Sequence, residues 1–151
     1  MNFKTTLIAV FCALLFFIAP NTMPTASLAI ADSIVSHAPE NAQAYIIEPA
    51  DGATLPETFT VKFGLSEMEL APAGTNKPNT GHHHLLIDRP EIELTTSLPS
   101  TEQIRHFGKA QTETELTLPP GEHTLQLILG NYAHVPHDNP VISEQITVTV
   151  K

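Results

Sequence analysis

The sequence predicts an all-β domain, an immunoglobulin-like antiparallel sandwich of about seven strands. Short β-forming segments recur between Pro, Gly and Asn breaks from Gln43 to the end of the chain. Several alternate apolar and polar residues with period two, and none carries the 3.6-residue period of a long helix. The chain has no Trp and a single Cys, so the architecture is expected without the Cys and Trp signature of antibody domains. A small Greek-key barrel of the cupredoxin type is the alternative.

Taken in order, Gln43 to Glu48 is the first strand, ended by Pro49-Ala50-Asp51-Gly52. Thr58 to Leu65 puts Phe59, Val61, Phe63 and Leu65 on one face. Met68 to Leu70 reads as a short extension. Residues 71–81, with two prolines, two glycines and two asparagines, form a loop. A strand then runs from His82 to Asp88, followed by a weakly patterned stretch with strand-like Glu91 to Leu94. Thr101 to Phe107 is either a helical turn or an edge strand. Gln111 to Leu118 alternates again, and Pro119-Pro120-Gly121 turns the corner into Glu122 to Leu129. A second loop spans 130–140. The last strand, Ile142 to Val150, points Ile142, Ile146, Val148 and Val150 inward.

The first residues give an address. Asn2 and Lys4 precede an apolar run from Leu7 to Ala19, Pro20, and a small-residue segment ending Ala29-Ile30-Ala31. This is the order of a secretory signal peptide, with cleavage expected after Ala31. The run falls short of the roughly 20 apolar residues of a membrane span, so no stable membrane insertion is expected after cleavage. The divisions are therefore 1–31 leader, 32–42 linker and 43–151 domain, exported to a periplasmic or extracellular compartment. Cleavage removes Cys12, leaving no disulfide framework. It also removes Lys4, leaving six Lys and Arg against sixteen Asp and Glu. That balance speaks against nucleic acid as a partner.

Gly81-His82-His83-His84-Leu85-Leu86-Ile87-Asp88 carries the chemistry. Strand alternation sends His83, Leu85 and Ile87 to the core face, and His82, His84 and Leu86 to the other. In a sandwich, the loop before this strand and the loop after Leu129 meet at one end. His134 and His137 join the triplet there, and the connection carrying His106 comes to the same end. His123 falls at the opposite end, and His37 lies in the linker. Neutral imidazole suits zinc and copper(II), whereas copper(I) prefers thiolate or thioether. The predicted ligands are His82, His84, His106, His134 and His137. His83, Glu113 and Met68 are weaker candidates, and Asp88 and Asp138 are further carboxylates that could orient a site. Gly-x-Ser-x-Gly, P-loop and dinucleotide glycine patterns are absent.

Gly81 to Asp88, His106 to Thr114, Leu118 to Leu127 and His134 to His137 together resemble a bacterial family of small exported proteins, domain of unknown function 4399. Pro49 to Ala53 and Met68 to Gly74 share the resemblance, which covers Ala44 to Val150. The family pattern implies a glycine where this chain has Ala110, and a turn with positive φ there would strain an alanine. The resemblance implies an exported domain with grouped histidine motifs, and no activity.

The expected function is a binding or delivery module for zinc or copper(II), with a protein partner also conceivable. Two rival readings are a protein- or glycan-interaction domain whose histidines shape loops or sense pH, and a metal-dependent enzyme with an open coordination position. Nothing in the residues demands catalysis.

Overall fold

A computed structural model of the chain describes residues 34–151. The predicted leader and its cleavage point lie outside these residues. The domain is a β-sandwich, with no helix among the described residues. One sheet has the order β1–β3–β7, from β1 (Gln43–Glu48), β3 (Thr58–Ser66) and β7 (Glu113–Thr117). The other runs β2–β9–β8–β5–β4, from β2 (Thr54–Leu55), β9 (Ile146–Val150), β8 (Gly121–Gly130), β5 (Thr80–Ile87) and β4 (Glu69–Leu70). The sheets do not close into a barrel, which disposes of the cupredoxin alternative.

The predicted alternation builds the space between the sheets. Phe59, Val61 and Phe63 of β3 meet Leu85 and Ile87 of β5, Leu125, Leu127 and Leu129 of β8, and Val148 of β9 in one cluster. Ile146 packs against it, half-buried. Ile142 does not: it lies before β9, 37% exposed, making only an isolated bridge to Ile128.

β5 differs from an ordinary sandwich strand, because all eight of its residues are buried. β8 pairs along His82 to Ile87 on one edge. β4 and β6 (Ile104–His106) divide the other edge, at Thr80–Gly81 and at His84–Leu86. Thr101 to Phe107 is thus resolved as an edge strand, and the strand-like segment Glu91 to Leu94 is not a strand. Asp88 and Arg89 adopt left-handed conformations (φ 59° and 52°), which turn the chain out of the sheet. The excursion then folds back over the outer face. Leu98 and Ile104 bury Leu86 and Ile128 in a second, smaller core, with Ile92 beside it. Apolar residues accordingly fill both parities of Leu85-Leu86-Ile87 and of Leu127-Ile128-Leu129, the pattern of strands covered on two faces.

Residues 34–42, read as a linker, contain no strand, yet they lie against the domain. Ala38 is fully buried in the main core, and Ser36 O accepts from Asp138 N at 3.0 Å.

Candidate metal site

Parity places His82 and His84 on the outer face of β5, two residues apart. Their rings are 5.0 Å apart between centroids, and both residues are fully buried. His106 sits directly across from His84 in the β5–β6 pairing, and the two rings stack at 5.1 Å with an interplanar angle of 27°. The ligand atoms of His82, His84 and His106 all lie within 4.8 Å of one another, so these three could hold a metal ion. His134 comes from the turn after β8. Its Nε2 lies 3.1 Å from His106 Nε2, and its ring is 4.9 Å from that of His82. Two imidazoles on one tetrahedral zinc hold their nitrogens about 3.3 Å apart, given Zn–N bonds of about 2.0–2.1 Å. The His106–His134 pair is near that bite already.

Two glycines make the room. A Cβ at Gly130 would stand 2.7 Å from His84 Cε1 and 3.3 Å from His134 Cα. A Cβ at Gly108 would collide with His106 Cε1. The Gly of His-Phe-Gly-Lys therefore vacates the volume that the His106 ring fills. The adjoining turn also answers the question posed by Ala110, which holds φ 59° without being glycine.

The electrostatics are those of neutral rings. Burial pushes the His82 pKa down to about 4, with the imidazoles of His106, His134, His83 and His137 adding to the effect. Burial takes His84 to about 3, helped by His82, His106 and His134. His106 is lowered as well, by burial and then by His134. Neither ring nitrogen of His82 or His84 has a hydrogen-bond partner. Buried polar atoms are ordinarily satisfied, so His82 and His84, each able to offer one ring nitrogen to a shared ion, carry ligand capacity that the fold leaves unused.

The remaining predicted residues lie elsewhere. His137 is buried in the same loop as His134, but its Nε2 donates to Thr80 O at 3.3 Å. It is outside the group of three whose ligand atoms converge. His83 faces the main core, its ring 4.9 Å from that of Phe63. Glu113 is exposed on the opposite sheet, paired in register with Lys62. Met68 packs, partly buried, against the main core. Asp88 and His123 meet at the far end of β5 and β8, with His123 Nδ1 2.9 Å from Asp88 Oδ2 and Nε2 2.9 Å from Pro119 O.

Sequence reasoning overlooked Asn131. It is fully buried, and its Oδ1 accepts from the backbone N–H groups of Ala133 and Val135 at 2.8 and 3.1 Å. Those two N–H groups flank His134, which itself has φ 66°. An Asn at the start of the predicted loop 130–140 is a turn-shaping signal, and it could have been read as one.

The profile of the family described as Domain of unknown function (DUF4399) matches residues 61–151. The chain belongs to that family. The matched span contains His82, His84 and His106, and His134 beside them. No curated protein matches the chain. Among solved structures, the fibronectin(III)-like modules of Clostridium thermocellum CbhA are similar at 14% identity, covering 72% of this chain and 93% of that one with a TM-score of 0.38.

Proposed function

We propose that this protein is an exported binding or delivery module for a divalent transition metal, zinc or copper(II), held by His82, His84, His106 and His134. The observation that carries the reading is the convergence of the ligand atoms of His82, His84 and His106, two of these rings being fully buried with no hydrogen-bond partner on either nitrogen. An all-imidazole donor set favours zinc and copper(II) over copper(I). Ligands must be deprotonated to bind. Because burial lowers the proton affinity of His82 and His84, protons should compete at these two positions only well below neutral pH. The closeness of His134 to His106 supplies a fourth imidazole where a catalytic site keeps an open position, which favours holding a metal over activating water.

Calorimetric titration of untagged protein lacking the leader tests this. Zinc or copper(II) should bind at one ion per chain with micromolar affinity or better. The His84→Ala/His134→Ala variant should lose binding while His123→Ala retains it. Equal binding by wild type and the double variant, or no binding of either metal, overturns the reading.

A further inference from the structure

The turn that carries His134 is tied to the segment before β1. Asn131 Nδ2 donates to Ile34 O at 2.6 Å and to Ser36 Oγ at 3.2 Å. Asp138, at the other end of the same loop, accepts from His37 Nδ1 at 2.9 Å and from Ala38 N at 3.3 Å. Asn139 Nδ2 donates to Pro39 O at 3.3 Å. Residues 34–39 therefore run as a strap along 131–139, bonded at both ends of the loop. Asn131 is the hinge between the two: its oxygen shapes the His134 turn and its nitrogen holds the strap. The turn also has ties of its own: His134 N donates to Asn131 O and Asn131 N to Val135 O, both at 2.9 Å, and Leu98 N, in the excursion after β5, donates to His134 O at 2.9 Å.

His82, His84 and His106 are set by strand pairing on β5 and β6. His134 sits on a loop residue with a left-handed backbone, and its ring reaches His106 across 3.1 Å. It is also only partly buried, as is His106, whereas His82 and His84 are closed off entirely. The His106–His134 pair is therefore the side of the cluster nearest to solvent.

We propose that the strap 34–39 is a positioning element for His134, acting through Asn131, and that it controls how fast the cluster releases its metal. The proposal rests on the metal-binding reading above. His134 is the exchangeable ligand, and a docked strap keeps it seated against the metal. Loss of the strap leaves a three-imidazole site from which the ion departs faster.

The test uses protein lacking only the leader and three variants. Asp138→Ala removes the carboxylate bonds to His37 and Ala38 at the distal end of the strap, at an exposed position. Asn131→Asp keeps the oxygen that caps the turn but replaces the nitrogen that holds the strap. His37→Ala removes one bond from the strap itself. The first readout is the rate at which copper(II) passes to an added chelator. Removing groups that orient metal ligands weakens metal sites by roughly 10–100-fold, so Asp138→Ala and Asn131→Asp should release copper(II) at least about tenfold faster. His37→Ala should show a smaller rise. The second readout is electron paramagnetic resonance of the copper(II) form, where the variants should show one fewer coupled imidazole nitrogen. The third is nitrogen NMR of the metal-free protein, where the signal of the proton shared by His106 and His134 should weaken in the strap variants. If copper(II) binds but all variants release it at the wild-type rate with unchanged nitrogen couplings, the strap proposal is wrong and the metal site stands. If wild type binds no metal, the function reading fails, and release control by the strap falls with it. The NMR signal then decides separately whether the strap orders His134.

Discussion

His83 occupies a core position that leucine should fill at lower cost. It lies in the main core with no exposed surface, beside Phe63, and neither ring nitrogen has a partner. A buried polar group left unsatisfied costs about 1–3 kcal/mol. Leucine has a similar volume and no polar atoms, so His83→Leu should recover that cost, less about 0.5–1.5 kcal/mol for the lost edge contact with Phe63. A net gain of about 1 kcal/mol near pH 7.5 is expected. The larger effect appears in acid. Burial lowers the His83 pKa to about 4 from 6.5, so below pH 6.5 the unfolded chain takes up a proton that the folded chain refuses. Stability from this residue is therefore intact above pH 6.5 and drains away as pH falls toward 4. At about 1.4 kcal/mol per pH unit, the loss by pH 4 is on the order of 3 kcal/mol. His82 and His84 lose stability in the same direction, so the difference between wild type and variant isolates His83. Urea unfolding at pH 7.5, 6 and 5 measures it: the gap in favour of His83→Leu should widen at each step. A variant less stable than wild type at pH 7.5, with a parallel pH dependence, would show that the His83 nitrogens have a use in the folded protein.

Three further outcomes are expected. Gly130→Ala drives a methyl group into the His84 ring; overpacking of this kind costs about 1–3 kcal/mol, and calorimetry should find metal affinity reduced more than that of Leu94→Ala, an exposed control. Ala110→Gly relieves a left-handed alanine; the strain of about 1–2 kcal/mol exceeds the entropy that glycine adds to the unfolded chain, so thermal unfolding should show a gain of up to about 1 kcal/mol. At His123, burial acts to lower the pKa, but the Asp88 hydrogen bond, the Pro119 carbonyl and the Asp88 charge together raise it. Its contribution is full below pH 6.5 and fades as pH climbs through the folded pKa. Asp88→Asn should thus lose more stability at pH 6 than at pH 9, and an equal loss at both would contradict the pairing.

Period-two alternation made the main core legible in the sequence, since Phe59, Val61, Phe63, Leu125 and Leu127 point where their parity sends them. The same rule separated His83 from His82 and His84. Ile142 misled because one apolar residue before a strand looks like the strand's first inward position, and the chain enters β9 later. The outer core stayed hidden for a different reason. Leu98 and Ile104 lie in a segment without regular alternation, and their burial depends on where Asp88 and Arg89 redirect the chain. Topology brought His134 to the triplet, but it could not separate His134 from His137. Three residues along a loop decide whether an imidazole meets His106 or a backbone carbonyl, and only the turn built on Asn131 settles that.

The double covering of β5 gives each half of its alphabet a different reader. Positions 83, 85 and 87 answer to the space between the sheets, and positions 82 and 84 answer to the histidine cluster. A saturation library across 82–87, sorted once for folded protein and once for retained metal, should therefore split into two interleaved tolerance maps. A single inserted residue before His82 would exchange the two readers at every position downstream. On the proposed function, substitutions at 82 and 84 should be forgiven in the first assay and severe in the second, whereas those at 86, in the outer apolar core, should be severe in the first.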